Sequence, residues 1–375
     1  MAMRPHAPDR MTDTPAGARG AVAAAPAAIP PVVAGSAETQ DAFAAHAAAH
    51  GGRLSAAMTA YPNAPTPWLD LSTGINPEPW PGARAPADLL ARLPDPVQLA
   101  GLEAAAARAF GMADPARVVA TGGAEAGLRL LPRVIHAADV DIVSPTYSGH
   151  ESAWRTGATR VHRIGAEHMR ASAACVLALV NPNNPDGRAL GREPLSDLIA
   201  RRTAARLWTI VDESFVETEP GLSVADLASD RLVVLRSFGK FYGLPGLRLG
   251  FAIAPPGIAE RLRTLQGEWP VSSEAIVMGS GAYADRTWRT HAEARLRLQA
   301  EALDDLLVRR GLTVLGGTSL FRLVSVSGAR RVFDGLCRAG ILTRPFTGPA
   351  DWLRFGLPPQ QDLGRLDDAL RQAMR

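Results

Sequence analysis

The sequence RSFGKFYGLPGLRLG, residues 236–250, contains the only lysine of this chain, Lys240. Lysines and arginines together number 40, so the other 39 are arginines. The chain uses arginine wherever a positive charge alone is needed, and Lys240 is expected to do something that arginine cannot. A guanidinium stays protonated and cannot attack a carbonyl, whereas an amine with a lowered pKa can form a Schiff base. The alternative is that Lys240 has no special role and remains by chance in an arginine-biased sequence.

The composition is typical of a soluble globular protein of about two domains, with 375 residues, 47% hydrophobic and 21% charged. The net charge is only +3, and the arginines are scattered, so we expect a small acidic substrate and no nucleic-acid partner. Cys175 and Cys337 form no disulfide or metal-binding pattern. We therefore expect no metal and a reducing, cytoplasmic location.

Residues 1–40 are rich in alanine, proline and glycine and contain almost no large apolar side chains. This composition cannot bury a core and predicts a disordered extension. Residues 21–33 are apolar on average, but Pro26, Pro30 and Pro31 argue against a transmembrane helix. No signal-peptide cleavage pattern follows them, so we expect no membrane association.

Beyond residue 117, apolar runs alternate with glycine turns and helical patterns, which is typical of an α/β sheet covered on both faces. Ligands in such sheets bind where the carboxyl ends of the strands open into a crevice. The polar groups expected at these strand ends are, in chain order, the turn 122–125 at the start of a helix, Tyr147, Asn184, Asp212 and Lys240. A glycine turn at a helix start is also an anion site, because free N–H groups and the helix dipole converge there.

These groups match the requirements of pyridoxal phosphate. The cofactor needs an amine, an anion site for its phosphate, an aromatic face, a donor to O3′ and a carboxylate for the pyridine nitrogen. Each feature alone has a structural explanation, but their joint occurrence in this order favours a cofactor site.

Three motifs carry a family resemblance: NPNNPDG at 181–187, VDES at 211–214, and S-x-x-K at 237–240 followed by GLRLG. With them, the chain from about His50 to Arg375 resembles the fold-type I pyridoxal-phosphate enzymes, which include aspartate and histidinol-phosphate aminotransferases. The resemblance implies an α/β, aspartate-aminotransferase-like fold. That fold has a mostly parallel central sheet with helices on both faces, a smaller α+β C-terminal domain and a homodimeric assembly.

Further features resemble the threonine-phosphate decarboxylase branch of this family. They are HGG at 50–52, DLS at 70–72 leading to INP at 75–77, KFY at 240–242 with PGLR at 245–248, and WLRFG at 352–356. The branch implies decarboxylation of L-threonine O-3-phosphate to (R)-1-aminopropan-2-ol O-phosphate and carbon dioxide, in cobalamin biosynthesis. The domains expected beyond residue 40 are an N-terminal segment (41–95) that contributes to the active site and small domain, a large cofactor-binding domain (96–285) and a small C-terminal domain (286–375).

The resemblance also implies a role for each matching residue. Lys240 would hold the cofactor and return a proton to the substrate carbon, Asp212 would pair with the pyridine nitrogen, and Tyr147 would stack on the ring. The other expected cofactor contacts are the backbone amides of Ala124 and Glu125, Asn184 at O3′, and Ser237 and Arg248 at the phosphate.

Arg354 would bind the substrate carboxylate. The remaining expected substrate contacts, including candidates for the distal phosphate, are His50, Gly51, Gly52, Arg53, Asn76, Asn184 and Arg344. Exposed arginines are usually solvated and bind no ligand. The prediction that Arg344 and Arg354 bind substrate therefore rests on the resemblance alone.

Three positions depart from the family pattern. Phe215 stands where transaminating relatives carry a tyrosine, which favours the decarboxylase branch. Residues 93–96, LPDP, lack the tyrosine with which many relatives reach the neighbouring subunit's cofactor phosphate. Gly239 replaces a serine or threonine that could bind phosphate.

Two alternative functions stay open. The first is a histidinol-phosphate-type aminotransferase on the same scaffold. The second is a non-catalytic regulatory or scaffold protein, against which the intact set of Lys240, Asp212 and Asn184 argues.

Overall fold

The computed structural model of this protein describes residues 42–48, 50–227 and 229–375. The predicted disorder of residues 1–40 falls outside the described residues. The predicted division of the rest at residues 95 and 285 stays a prediction.

Strands supply the framework of the fold. In the described residues they are, in chain order, β1 (Leu69–Asp70), β2 (Val118–Thr121), β3 (Asp139–Val143), β4 (Arg160–Ile164), β5 (Val176–Val180), β6 (Trp208–Asp212), β7 (Leu232–Ser237), β8 (Gly250–Ile253), β9 (Thr313–Thr318), β10 (Phe321–Ser325), β11 (Ile341–Leu342), β12 (Arg344–Pro345) and β13 (Trp352–Gly356).

Helices cover these strands. Over the same described ranges they are α1 (Ala42–Ala47), α2 (Leu54–Ala60), α3 (Ala87–Leu90), α4 (Pro96–Ala109), α5 (Ala124–Val134), α6 (Gly149–Trp154), α7 (Arg192–Ala204), α8 (Phe238–Phe241), α9 (Pro256–Gln266), α10 (Ser273–Ala284), α11 (Arg286–Arg309), α12 (Ala329–Arg338) and α13 (Leu363–Ala373).

The central sheet has seven strands in the described residues, in the order β2-β8-β7-β6-β5-β3-β4. The pairs from β7 to β4 are parallel, and β8 pairs antiparallel with both β7 and β2. The strands β2, β3, β5, β6 and β7 therefore end at one edge of the sheet, where β8 begins. This arrangement confirms the mostly parallel sheet expected from the sequence.

Both faces of the central sheet are buried. Neighbouring residues of β7, Val233 and Val234, belong to two different cores: Val233 lies in a core with Leu131 of α5, and Val234 in a core with Leu102 of α4 and Leu195 of α7. Side chains alternate across a strand, so a strand buried on both faces must be apolar at almost every position. This requirement explains the uninterrupted apolar runs in the sequence.

A second, four-stranded antiparallel sheet has the order β12-β13-β10-β9. The short parallel pair of β1 with β11 ties the N-terminal segment to this C-terminal region. Gly356, the last residue of β13, donates its backbone N–H to the oxygen of Leu71 at 2.7 Å. The chain just after β1 is thereby fixed beside the strand that carries Arg354.

The structure defines three helix starts near the site and its strands. Helix α4 begins at Pro96, where the Asp95 side chain accepts the N–H of Val97 and caps the helix. Helix α5 begins at Ala124, inside the expected turn. Lys240 lies on the short helix α8.

The approach of β8 to α5 depends on Gly250. A Cβ atom there would lie 2.2 Å from the backbone nitrogen of Ala124 and 2.6 Å from the carbonyl carbon of Gly123. We expect Gly250→Ala to lower the free energy of unfolding by about 1–3 kcal/mol, because backbone must shift to admit the methyl group. Urea unfolding of the full chain measures this.

Gly257 is the matched control, since a Cβ at this position in α9 meets no atom within 4 Å. Gly257→Ala should be neutral or stabilise by up to about 1 kcal/mol. Equal stability of the two variants would contradict the predicted clash.

Candidate active site

The amine of Lys240 is desolvated and lies over an aromatic ring. Its Nζ is 3.9 Å from the ring centroid of Phe215, which is 3% exposed. The pKa of Lys240 is lowered to about 8, and the largest cause is burial. The negative charge of Asp212 raises this pKa, and the positive charge of Arg354 lowers it. The amine therefore loses its proton near neutral pH, as a nucleophilic lysine requires.

Asp212 ends β6 and is 5% exposed. Burial alone would raise its pKa, but the hydrogen bond and charge of His150, followed by the charge of Lys240, hold the pKa at about 2. Its Oδ1 also accepts the N–H of Ser214 at 2.9 Å. Asp212 is thus a buried, permanent anion that can keep a pyridine nitrogen protonated.

His150 is the partner that sequence reasoning missed. It is fully buried on α6, and its Nε2 donates to Asp212 Oδ2 at 3.1 Å. The sequence feature that could have pointed to His150 is its position in the first turn of the helix that follows Tyr147. A histidine in a helix has many possible directions, so the sequence alone did not connect it with a strand 62 residues later.

An anion cradle forms where β2 turns into α5. Gly123 caps the helix with a φ of 95° and contributes no side chain to the free N–H groups of Ala124 and Glu125. The guanidinium of Arg248 lies against it, since a Cβ on Gly123 would be 2.8 Å from Arg248 Nη2. Backbone donors, the helix dipole and a guanidinium therefore converge on one point.

Tyr147 forms one wall of the cavity. Its hydroxyl donates to Glu125 Oε2 at 3.0 Å, and its ring centroid is 4.9 Å from that of His50. Gly149 permits this position, because a Cβ there would be 2.1 Å from the Tyr147 ring. Burial, followed by the charge of Glu125, raises the pKa of Tyr147, so the phenol stays protonated.

Arg354 is 4% exposed and points into the same cavity from β13. It donates to Asn184 Oδ1 at 2.5 Å and to the backbone oxygen of Ser72 at 2.8 Å, and it lies 5.1 Å from the ring centroid of Phe321. Burial, followed by the charge of Arg344, lowers the pKa of Arg354 to about 9. Its Nε is buried without a protein acceptor in the described residues.

Arg344 pairs with Arg354 in the register of β12 and β13. Burial lowers its pKa, and its Nε too has no protein acceptor in the part of the chain described. Its guanidinium lies 5.2 Å from the ring of Phe346. Neither guanidinium has a carboxylate partner among the described residues. Two such cations facing one cavity fit a ligand with two negative charges.

One cavity of about 470 Å³ brings most of the predicted residues together. Those on its wall are His50, Gly51, Ala124, Glu125, Tyr147, Asn184, Asp212, Lys240, Arg248, Arg344 and Arg354. Gly52, Arg53, Asn76 and Ser237 lie off the cavity wall. Gly52 donates its N–H to Ser72 Oγ at 2.8 Å, and Asn76 hydrogen-bonds to the chain behind Lys240.

Two departures from the family pattern have structural reasons. A Cβ at Gly239 would lie 2.6 Å from Cα of Pro245, so a serine or threonine does not fit this backbone. Phe215 packs edge-on against Phe321 with centroids 5.0 Å apart. Gly74 allows that pair, because a Cβ there would be within 3.0 Å of both rings.

The residues present fit pyridoxal phosphate. The cradle at Gly123 and Arg248 suits a phosphate, and the anionic Asp212 suits a pyridinium. The Asn184 side-chain nitrogen has no protein acceptor among the described residues and is available to an oxygen of the cofactor.

Within the described ranges, no group of three or more histidine, cysteine, aspartate or glutamate side chains is arranged to hold a metal. No helix in the same residues is long and apolar enough to cross a membrane.

The sequence pattern of the family described as aminotransferase class I and II matches residues 76–371. The chain belongs to this family. The threonine-phosphate decarboxylase of Pseudomonas aeruginosa is 38% identical over 326 residues, which cover 86% of this chain and 96% of that relative. The enzyme of the same name from Sinorhizobium sp. is 38% identical over 325 residues, covering 86% and 97%. These relatives confirm the resemblance to the decarboxylase branch.

Solved structures agree on the fold. Histidinol-phosphate aminotransferase from Sinorhizobium meliloti, in complex with pyridoxal-5′-phosphate, has a TM-score of 0.74 at 19% identity and covers 86% of this chain and 94% of its own. L-threonine-O-3-phosphate decarboxylase from Porphyromonas gingivalis has a TM-score of 0.68 at 21% identity and covers 81% and 98%. The expected aspartate-aminotransferase-like fold is confirmed.

The pKa of Lys240 can be measured directly, because lysine labelled with ¹³C at Cε marks this residue alone. In the cofactor-free full chain we expect a titration midpoint near pH 8, against about 10.4 for an exposed lysine. The amine is protonated below this midpoint and nucleophilic above it. Nuclear magnetic resonance at a series of pH values measures the midpoint.

Two charge-removing variants should move that midpoint in opposite directions. Asp212→Asn removes an anion and should lower the pKa of Lys240 further, whereas Arg354→Met removes a cation and should raise it. A midpoint that stayed near 10 in the parent protein would rule out this account of Lys240.

Proposed function

We propose that this protein is a pyridoxal-phosphate-dependent carboxy-lyase that decarboxylates L-threonine O-3-phosphate to (R)-1-aminopropan-2-ol O-phosphate and carbon dioxide. The product is a building block of cobalamin, and the enzyme acts in the cytoplasm. The observation that carries the proposal is one cavity that combines a lone amine, a buried anion, an anion cradle and two arginines without carboxylate partners there. The 38% identity to the two decarboxylases over 86% of the chain supports it.

The two arginines match the two anionic ends of the substrate. Arg354 binds the carboxylate, and Arg344 and His50, which line the same cavity, bind the distal phosphate. Partial desolvation, followed by the charge of Arg344, lowers the pKa of His50. This shift favours the neutral ring, which can donate a hydrogen bond to the phosphate.

The cofactor, when bound, supplies an electron sink for the pair of electrons released as the bond to the carboxylate breaks. The remaining roles belong to side chains of the protein. Asp212 holds the pyridine nitrogen protonated, and Tyr147 covers one face of the ring and excludes water. Lys240 Nζ returns a proton to the carbon that lost the carboxylate, so carbon dioxide leaves and a hydrogen takes its place.

The structure gives less support to the two alternatives. Phe215 cannot donate the second hydrogen bond that a tyrosine gives in transaminating relatives. A protein without catalysis would have no need to keep Lys240 desolvated beside a buried carboxylate, an arrangement that costs stability.

A homodimer is also part of the proposal. Leu93, Val97 and Trp269 are 67%, 78% and 51% exposed. Pro96 and Pro270, the chain neighbours of Val97 and Trp269, line one surface cavity. Exposed apolar side chains that lie close together are typical of protein interfaces. Sedimentation of the full chain at a monomeric mass would contradict a dimer.

The test is to incubate the purified protein with pyridoxal phosphate and L-threonine O-3-phosphate. We expect release of carbon dioxide and formation of aminopropanol phosphate. Plain L-threonine should be a poor substrate, because binding energy from the remote phosphate is needed to orient the carboxylate. Transfer of the amino group of histidinol phosphate to 2-oxoglutarate, without carbon dioxide from threonine phosphate, would establish the aminotransferase instead.

Three variants serve as controls for this assay. Lys240→Arg should abolish turnover and the visible absorbance of the bound cofactor, since guanidinium cannot form the imine. Arg344→Ala should weaken binding of threonine phosphate ten- to a hundredfold, from the loss of about 1.5–3 kcal/mol. Arg338→Ala, at the exposed end of α12, should change nothing. An unaffected Arg344→Ala variant would remove Arg344 from the phosphate site.

A further inference from the structure

Residues 76–80, here called the strap, lie against the carboxyl end of the lysine helix α8. A helix of four residues leaves its last carbonyls without partners. The backbone N–H of Asn76 donates to the oxygen of Lys240 at 2.8 Å, and that of Trp80 donates to the oxygen of Tyr242 at 2.9 Å. The side-chain Nδ2 of Asn76 donates to the oxygen of Phe241 at 2.8 Å. The strap thus binds three consecutive carbonyls, beginning with that of Lys240.

The orientation of the Asn76 amide is fixed. Its Oδ1 accepts the N–H of Glu78 at 3.0 Å and Nη2 of Arg295 at 3.2 Å. Both partners can only donate, so the oxygen must face them and Nδ2 must face Phe241. Asn76 is 2% exposed, and its side chain is engaged within the fold rather than turned to the cavity.

The other side of the strap is held by the long helix α11. Arg295 Nη1 lies 3.0 Å from Glu78 Oε2, and Gln299 Nε2 donates to Glu78 Oε1 at 3.0 Å. Trp80 Nε1 donates to Oδ2 of Asp285, the N-cap residue of α11, at 3.1 Å. The two attachments are ten residues apart along the helix, or about 15 Å. The strap is therefore fixed along its length.

The strap also packs backbone against backbone on the turn after α8. Gly243 has a φ of 66°, and a Cβ there would lie 2.7 Å from Cα of Pro79 and 2.8 Å from the oxygen of Asn76. This close contact leaves little room for the turn after α8 to move toward the strap. The hydrogen bonds to the three carbonyls, including that of Lys240, oppose movement away from it.

We propose that Asn76 is a positioning residue for Lys240, and that Arg295 acts through it by fixing the Asn76 amide. The inference rests on the proposed function in that Lys240 is the reactive amine. It gives Asn76 a role behind the lysine in place of the substrate contact expected from the resemblance. Helix α11 also packs against β9 and β10 of the sheet that carries Arg354. The strap therefore ties the amine and the carboxylate-binding arginine to one helix.

The single lysine makes a direct test possible. Full-length protein grown with lysine labelled at the backbone nitrogen, the carbonyl carbon and Cε gives one resonance for each label, all from Lys240. Asn76→Asp keeps the shape and the acceptor for Arg295 but loses the donor to Phe241. Arg295→Met removes the guanidinium. Arg297→Met is the matched control, since Arg297 is exposed two residues further along the same helix.

In the cofactor-loaded protein, Asn76→Asp and Arg295→Met should each shift the backbone nitrogen and carbonyl resonances of Lys240, and Arg297→Met should not. With threonine phosphate, kcat should fall about tenfold in both variants while KM stays within about twofold, because the lost contact is to the lysine rather than to the substrate. In the cofactor-free chain, the Cε titration midpoint should rise, because a loosened lysine gains water.

A rise in KM with unchanged lysine resonances would show that Asn76 contacts substrate, and the proposal would be wrong. Parent-like resonances and kcat in both variants would overturn it as well. If the Asn76→Asp variant does not fold, the Arg295→Met variant tests the proposal by itself. The Arg295 side chain is 29% exposed, so we expect its replacement to be compatible with folding. The resonances need no substrate. Shifted resonances in a protein that does not decarboxylate threonine phosphate would refute the proposed function and leave the positioning role intact.

Discussion

The site depends on the desolvation of one amine beside one permanent anion. Lys240 has a pKa of about 8 because it is buried, and Asp212 has a pKa of about 2 because His150 and Lys240 compensate its burial. Neither group is stable in this environment alone: a buried charge without a partner is costly. The surrounding fold must therefore hold both in place, which explains why hydrogen bonds from His150 and Ser214 converge on the carboxylate.

Close backbone contacts bring the separate parts of the cavity together. A Cβ at Gly187 would lie 2.0 Å from the oxygen of Gly317, so the asparagine-rich loop rests directly on β9. A Cβ at Gly356 would lie 2.2 Å from the oxygen of Thr73, so β13 presses on the segment after β1. Together with Gly250 against α5, these contacts leave little space for a side chain between the elements. They set the distances between the anion cradle, the amine of Lys240 and the guanidinium of Arg354.

Much of the site could be predicted because its residues lie where strands end. Asp212 and Asn184 follow buried strands, and parallel strands deliver their carboxyl ends to one edge, so local sequence was sufficient to place them. His150 and Asn76 were different. His150 reaches Asp212 only because α6 packs on the sheet with that face inward. The Asn76 side chain turns away from the cavity because Arg295, 219 residues later, binds its oxygen. The direction of His150 is not encoded by neighbouring residues, and for Asn76 the local contact with Glu78 is completed only by the distant Arg295.

The planar amide of Asn184 links the two halves of the chemistry. Its oxygen accepts from Arg354 at 2.5 Å, and its nitrogen has no protein acceptor in the described residues. If that nitrogen binds O3′ of the cofactor, as the family resemblance implies, one rigid amide would connect the cofactor with Arg354, the proposed carboxylate ligand. Decarboxylation requires the bond to the carboxylate to overlap the π system of the cofactor. An amide shared by both contacts would restrict the angle of that bond, because neither contact could shift without the other.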